Sequence, residues 1–164
     1  MRGIICTAVS FLLLAAAPLY ADGALKEINV AKTAAHKSFF SVPISIVPAP
    51  GFTLRRTKDG VCDDKKKVSI EVSDIGMTFE ELVSQLESGS ALAKQKMTIK
   101  SRGEYLWNGS RAELLKIFQQ HNGMTIGKWV LIVDRGSSCW LVTGSYNSKE
   151  TDKSQAVLNM VKSS

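Results

Sequence analysis

Three turn signals in the second half of the chain constrain its fold more than any other feature. They are Asn108-Gly109, Asn122-Gly123 and Asp134-Arg135-Gly136. Asn-Gly supplies the positive φ angles that a two-residue turn needs if it is to match the twist of two paired strands. The segments on either side of each signal are therefore predicted to be antiparallel neighbours in one sheet.

Four strands follow from these signals, at about Met97–Trp107, Ser110–Gln119, Ile126–Val133 and Cys139–Ser145. The last two contain the unbroken apolar runs 129–133 and 140–142, which are typical of strands covered on both faces. Residues 112–120 also fit the spacing of an apolar helix face. We predict a strand there, because the flanking Asn-Gly turns leave too little chain for a helix to leave the sheet and return.

A capped helix is predicted just before these strands. Thr78 and Glu81 form a capping box, in which each side chain bonds the backbone N–H of the other residue. Apolar residues recur at helical spacing over 79–86, and Gly89 is placed to end the helix.

A second amphipathic helix is predicted to close the chain. Val157 and Val161 lie on its apolar face, and Ser148 or Thr151 is available as its cap. One helix is thus available from each end of the domain to pack on the sheet.

Alternation of apolar and polar side chains predicts two earlier strands. Residues 39–47 alternate in this way, and Pro43 places that strand at a sheet edge because proline cannot donate a ladder hydrogen bond. Residues 68–73 alternate likewise, whereas 55–67 is predicted to be a charged loop. We therefore predict an α+β fold in which an antiparallel sheet of about six strands is flanked by helices.

The N-terminus has the layout of a cleavable secretory signal over residues 1–21. Arg2 precedes an apolar run that ends near Leu19, and the small Ala21 precedes the polar Asp22. The alternative is a retained anchor, but the run is short and lightly flanked for a permanent span. We predict export to the periplasm or beyond without a stable membrane anchor, a linker over 22–38 and a single domain over 39–164.

Two cysteines, Cys62 and Cys139, lie beyond the predicted signal. In an oxidising compartment an even pair favours a disulfide. The alternative is that Cys139 is a small buried apolar residue at a strand start while Cys62 is exposed. Both interpretations stay open at this point, because Cα atoms more than ~7 Å apart cannot be bridged and the sequence gives no distance.

The sequence contains no recognisable catalytic or metal-binding pattern. Its two histidines, His36 and His121, are far apart and have no neighbours at metal-ligand spacing. Serine-hydrolase and phosphate-loop patterns are absent. A thiol site made of Cys139 and His121 is the remaining catalytic alternative, although nothing nearby is identified that would lower the pKa of the thiol. We predict no catalytic residue, no metal, no cofactor and no enzymatic activity.

Candidate partner-binding residues are of two kinds. The tryptophans are favoured at interface hot spots, and the basic residues could meet an anionic partner. The candidates are Trp107, Trp129, Arg55, Arg56, Lys65, Lys66 and Lys67. Strand cores and a solvated loop are the simpler explanations of the two groups. No aromatic residues interleave the basic ones, so binding of nucleic acid is not expected.

The order of these elements resembles the PsbP-like superfamily over residues 39–162. The residues that carry the resemblance are Pro50-Gly51-Phe52, Ile70–Ser73 leading into Thr78–Leu82, Asn108-Gly109 with Ala112, Trp129–Val133 and Leu141–Ser145. The superfamily includes photosystem II extrinsic proteins, a Ran-binding nuclear import factor and small bacterial periplasmic proteins. The resemblance implies an antiparallel sheet between helices that serves as a binding or accessory scaffold. An exported, mildly basic chain is most similar to the periplasmic branch.

These observations together predict an exported, non-catalytic accessory protein that binds a protein or another macromolecule of the cell envelope. One alternative is a periplasmic inhibitor or immunity-type protein. Another is a small hydrolase, which would need a nucleophile, a base and oxyanion donors converging in one pocket.

Overall fold

The computed structural model of the protein describes residues 25–39, 41–55 and 58–164. The predicted signal over 1–21 and the candidate residue Arg56 lie outside these ranges.

Ten strands and three helices occur in the described part of the chain. The strands are β1 (Lys26–Ile28), β2 (Lys37–Ser38), β3 (Ser45–Ile46), β4 (Thr53–Leu54), β5 (Gly60–Asp63), β6 (Val68–Ile75), β7 (Met97–Trp107), β8 (Ser110–His121), β9 (Met124–Asp134) and β10 (Cys139–Asn147). The helices are α1 (Phe79–Ser88), α2 (Ser90–Lys94) and α3 (Thr151–Lys162).

Eight strands form the main sheet, in the order β1-β7-β8-β9-β10-β6-β5-β4. All neighbours are antiparallel except β1, which lies parallel to the end of β7. The predicted four-strand meander is confirmed as β7 to β10. Both residues of the Asn108-Gly109 and Asn122-Gly123 turns have positive φ, as the hairpin geometry requires. The strand preferred for 112–120 is confirmed as well.

The sheet is larger than the predicted six strands because several of its members are very short. β1, β4 and β5 contain three, two and four residues, too few for a period-two pattern to stand out. β5 lies within residues 55–67, so the prediction that this whole segment is a loop was wrong. β1 and β5 are stabilised by the long neighbours they pair with, β7 and β6, and β4 pairs in turn with β5.

The predicted strand over 39–47 was wrong in extent. Among the described residues of this segment, Ser45–Ile46 alone is a strand, and it pairs with Lys37–Ser38 in a separate two-stranded sheet. Val42, Ile44 and Ile46 are nevertheless buried in the core. The alternation in the sequence therefore marked which side chains are buried, and not a ladder of hydrogen bonds.

Described residues of the predicted linker over 22–38 contribute to the folded unit. Lys26–Ile28 pairs with Tyr105–Trp107, and the His36 Nε2 atom lies 3.2 Å from the Ser163 carbonyl oxygen. The folded part of the chain thus begins earlier than residue 39.

Helices lie on both faces of the main sheet, so the fold has three layers. Leu131 and Val133 of β9 share one core with Val157 and Val161 of α3. Val130 and other side chains of the opposite face share a second core with α1. We call these two sides the α3 face and the α1 face.

The capping box of α1 is confirmed, because Thr78 and Glu81 exchange both hydrogen bonds. Gly89 ends α1 in the left-handed conformation, with φ of 68°. The predicted caps of α3 were wrong. Glu150 occupies that position, and its side chain makes no capping hydrogen bond.

Candidate functional site

The α1 face is covered over only part of its area. The core beneath α1 is built from Phe79, Leu115, Ile117, Val130, Ile132 and Cys139, with further side chains from α1, β7 and β10. It takes no side chain from the described residues of β4, β5 or β6. The other end of this face carries small polar and charged side chains that are half-buried or exposed.

Polar contacts fix the position of α1 over its own end of the sheet. Arg102 on β7 forms an ion pair with Glu113, which is only 1% exposed, and also lies 3.2 Å from Glu87 of α1. Burial raises the pKa of the Glu113 carboxyl, and the Arg102 charge opposes that rise. At the start of the helix, Arg111 lies 3.3 Å from Glu80. These contacts hold α1 against β7 and β8, away from β6.

A row of aligned residues crosses the uncovered part of the sheet. Lys128 pairs with Ser145, Ser145 with Ser69, Ser69 with Cys62, and Cys62 with Thr53. Lys128 is two residues before Val130, so its side chain lies on the α1 face. With strands spaced ~4.8 Å apart, the row spans about 19 Å.

A second row lies beside the first. Thr143 pairs with Glu71, and Arg55 reaches across from the end of β4 to form an ion pair with Glu71. The Lys58 Nζ atom is 3.5 Å from the second carboxylate oxygen of Glu71. We call this surface the open face. It consists of Thr53, Arg55, Lys58, Cys62, Ser69, Glu71, Lys128, Thr143 and Ser145.

The carboxylate of the open face is already neutralised. Burial alone would raise the pKa of Glu71, but the hydrogen bond from Arg55 and the charges of Arg55 and Lys58 outweigh it, so the pKa is lowered. Glu71 is therefore ionised at neutral pH and is shared between two cations.

Lys128 has no such partner. Its side chain is half-buried, and burial lowers the pKa of its ammonium group, an effect that the Glu71 charge opposes. No ion pair or hydrogen bond joins the Lys128 side chain to any described residue. The neighbouring hydroxyls of Ser69, Thr143 and Ser145 likewise make no hydrogen bond within the described ranges. This arrangement can receive a hydrogen-bond acceptor that carries negative charge.

The structure places the basic candidates in different environments. Arg55 and Lys67 line one depression of about 240 Å³, together with Cys62 and Ser69. Lys66 instead pairs with Asp63 at 3.3 Å and lines a cavity of about 390 Å³ beside α3. Lys65 is exposed in the intervening turn. The basic run thus does not form a single patch.

Both candidate tryptophans pack into the core. Trp107 is 7% exposed and lies at the end of β7. Trp129 is half-buried beneath α3, and its Nε1 atom donates a hydrogen bond to the Ser154 hydroxyl at 3.1 Å. Both positions agree with the simpler explanation given above, that these tryptophans belong to the cores of strands.

Cys62 and Cys139 are both free, so the disulfide alternative was wrong. Cys62 is level with Ser69 on β6, whereas Cys139 is level with Ile75. They are separated by two strand spacings, about 10 Å, and by about 20 Å along the strands. This separation is far beyond what a disulfide can bridge.

The thiol-catalyst alternative was also wrong. Cys139 is level with Asp134, and His121 is level with Met124, at the other end of β9. Ten residues of strand separate them by about 33 Å. Burial, with smaller contributions from nearby acidic residues, raises the pKa of Cys139 to about 11, so its thiol is protonated at neutral pH.

Sequence reasoning did not select Lys128, Thr143 or Ser145. A signal was present, because Lys128 is a charge within the otherwise apolar Ile126–Val133, and β6 and β10 have polar residues at alternate positions. Which of these positions line up depends on the register of three strands, which the sequence does not give.

Comparison with known proteins supports the fold alone. No family model matches the chain, and no curated protein matches it. A similar solved structure is the crystal structure of PA94 from Pseudomonas aeruginosa, a protein of unknown function for which a regulatory role has been suggested. Its TM-score is 0.52 at 14% identity, covering 73% of this chain and 78% of that chain. The PsbP-like resemblance stays a prediction.

Two further properties concern only the described residues. They contain no group of three or more His, Cys, Asp or Glu side chains that could hold a metal ion. None of the helices in this part of the chain is long and apolar enough to cross a membrane.

Proposed function

We propose that this protein is an exported, non-catalytic accessory protein that binds a macromolecule of the cell envelope through its open face. The observation that carries the proposal is the uneven cover of the sheet. Helices bury both faces around Val130–Val133 of β9 and the start of β10, whereas the rows from Lys128 to Thr53 face outward.

The chemistry of the open face favours binding over catalysis. An acyl-transfer or hydrolytic site needs a nucleophile, a base and oxyanion donors that converge on one point. The hydroxyls of Ser69 and Ser145 lie side by side in a row, and neither has a basic partner in the described structure. Burial and a hydrogen bond with Asp64 raise the pKa of Cys62, which disfavours the reactive thiolate.

The proposal of export has separate support in the layout of residues 1–21, which is typical of a secretory signal. The PsbP-like resemblance supports an accessory role in the periplasm. Both lines of support come from the sequence, and neither depends on the open face.

Site-specific photo-cross-linking in the intact envelope tests this function. A benzophenone side chain at Ser145, in the middle of the open face, should give a discrete adduct with one macromolecule. The matched control carries the same group at Gln155, which is exposed on α3 and should give no such adduct. Equal adducts at both positions, or none at Ser145, would contradict the proposal.

A further inference from the structure

We infer that the open face binds an extended acidic segment of a protein partner, and that Lys128 receives one of its carboxylates. This inference rests on the proposed function, because it specifies the partner chemistry of the same surface. Three observations lead to it: the charge balance of the face, the state of Lys128 and the geometry of the row.

Positive charge predominates around the open face. Its cations are Arg55, Lys58 and Lys128, and Lys67 joins them at the rim of the 240 Å³ depression. The acidic groups in the same area are Glu71, on the face, and Asp63 and Asp64, which line the depression. A partner of complementary charge is therefore acidic.

Asp63 and Asp59 lie nearby but are engaged elsewhere. Asp63 is 7% exposed and pairs with Lys66. Asp59 accepts a hydrogen bond from the backbone N–H of Ser41 at 2.8 Å. Neither carboxylate neutralises Lys128.

Lys128 is the group on this face that gains most from a carboxylate. Its ammonium is partly desolvated and has no ion-pair partner among the described residues. Attraction between charges is stronger at such a site than in bulk water. The hydroxyls of Ser145 and Ser69 lie next in the row and can donate to the same oxygen atoms, giving charge-assisted hydrogen bonds.

The separation of the cations indicates an extended peptide. The Arg55 guanidinium lies at Glu71, two strands from Lys128 and two residues along β6 from Ser69, so the two cations are about 12 Å apart. An extended chain rises ~3.3 Å per residue, so acidic side chains four residues apart match this separation and point to the same side. The small hydroxyl side chains between the two ends leave room for a backbone to cross the sheet.

An anionic membrane fits the face less well. Electrostatic membrane recognition typically uses clusters of about four to eight Lys and Arg. Here four cations are interspersed with three carboxylates, one of which, Glu71, is bound by two of those cations. We therefore assign the surface to an acidic peptide.

Binding of synthetic heptapeptides to the purified protein tests the inference. The probe has Glu at positions 2 and 6 and Ser or Thr elsewhere, and its control has Gln at positions 2 and 6. Nuclear magnetic resonance titration should give shifts confined to the open face. Affinity for the Glu peptide should exceed that for the Gln peptide by about tenfold, or ~1.4 kcal/mol, and should fall as salt is raised. Equal affinity for the two peptides would overturn the inference.

Variants of the protein show whether Lys128 is the receiving group. Lys128→Glu should abolish binding, and Lys128→Met, which keeps the apolar stem, should weaken it by about tenfold. The matched control Lys149→Glu, at an exposed lysine before α3, should bind as the parent does. Unchanged affinity in Lys128→Met would overturn the inference. Binding to phosphatidylglycerol vesicles that is lost in Lys128→Glu, without peptide binding, would overturn it in favour of a membrane.

The two proposals fail differently. If the Ser145 cross-link persists at full yield in Lys128→Met, the accessory function stands and the acidic-segment inference is wrong. If no adduct forms at Ser145 in the parent protein, the accessory function itself is contradicted.

Discussion

Replacing Gly144 by Ala should destabilise the protein at the point where α3 crosses the sheet. A Cβ atom at residue 144 would lie 2.2 Å from the Val157 Cγ1 atom and 2.8 Å from the Ile70 Cδ1 atom. Both neighbours are fully buried, so one of them, or α3 itself, must move. Gly144 thus permits the close approach of the helix to β10.

The expected cost is that of overpacking a core by one methyl group, about 1–3 kcal/mol. Part of it is offset because alanine reduces the conformational freedom of the unfolded chain, which stabilises by ~0.4–1 kcal/mol. We expect a net loss of about 1–2 kcal/mol in the free energy of unfolding. Urea denaturation followed by circular dichroism measures it as a lower midpoint at unchanged slope.

Gly76→Ala is the matched control. A Cβ atom at Gly76 would meet no atom within 4 Å, so this variant changes the unfolded chain in the same way but introduces no clash. The double variant Gly144→Ala with Val157→Ala should be more stable than the two single changes predict, by ~0.5–3 kcal/mol. Equal stability of the Gly144 and Gly76 variants, or strict additivity with Val157→Ala, would refute this reasoning.

Three further predictions concern the thiols, the cap of α1 and the tryptophans. Of the two cysteines in the described part of the chain, a thiol reagent should label Cys62 in the native protein and Cys139 in addition after unfolding without reductant. Rapid native labelling of Cys139 would contradict its burial. Hydrogen bonds from Thr78 lower the pKa of Glu81 below its ordinary value of 4.5, so the stability that Glu81 contributes is present above that pH and lost as the pH falls through the lowered pKa. The difference in unfolding free energy between the parent and Glu81→Gln should shrink as the pH falls through the lowered pKa of Glu81. A difference that does not change with pH would contradict this contribution of the Glu81 carboxylate. Trp107→Ala should lower the free energy of unfolding by about 3–5 kcal/mol, and the Ser145 cross-link should persist in a folded sample of this variant. Loss of the cross-link in such a sample would instead indicate that Trp107 takes part in binding.

Features that depend on neighbouring residues in the chain were predictable. The Asn-Gly turns led to the β7–β10 meander, and the Thr78 capping box led to the start of α1. Each is decided by interactions over a few residues, whose preferences are present in the local sequence. The central part of the fold could therefore be predicted from residue types alone.

Features that depend on pairing between distant segments were not predictable. β1 and β5 are too short to show a pattern and become strands because β7 and β6 supply their hydrogen bonds. The separation of Cys62 from Cys139 likewise follows from how β5, β6 and β10 pair with one another.

The open face also depends on pairing between distant segments. The sequence by itself shows that Ser69, Glu71 and Lys128 are polar residues within strands. Only the tertiary structure decides that Lys128 and Ser69 lie on either side of Ser145 in one row and that α1 stops short of them. The physical reason is that strand register and helix position are set by packing of the whole core, and the packing of a core is a property of the assembled chain.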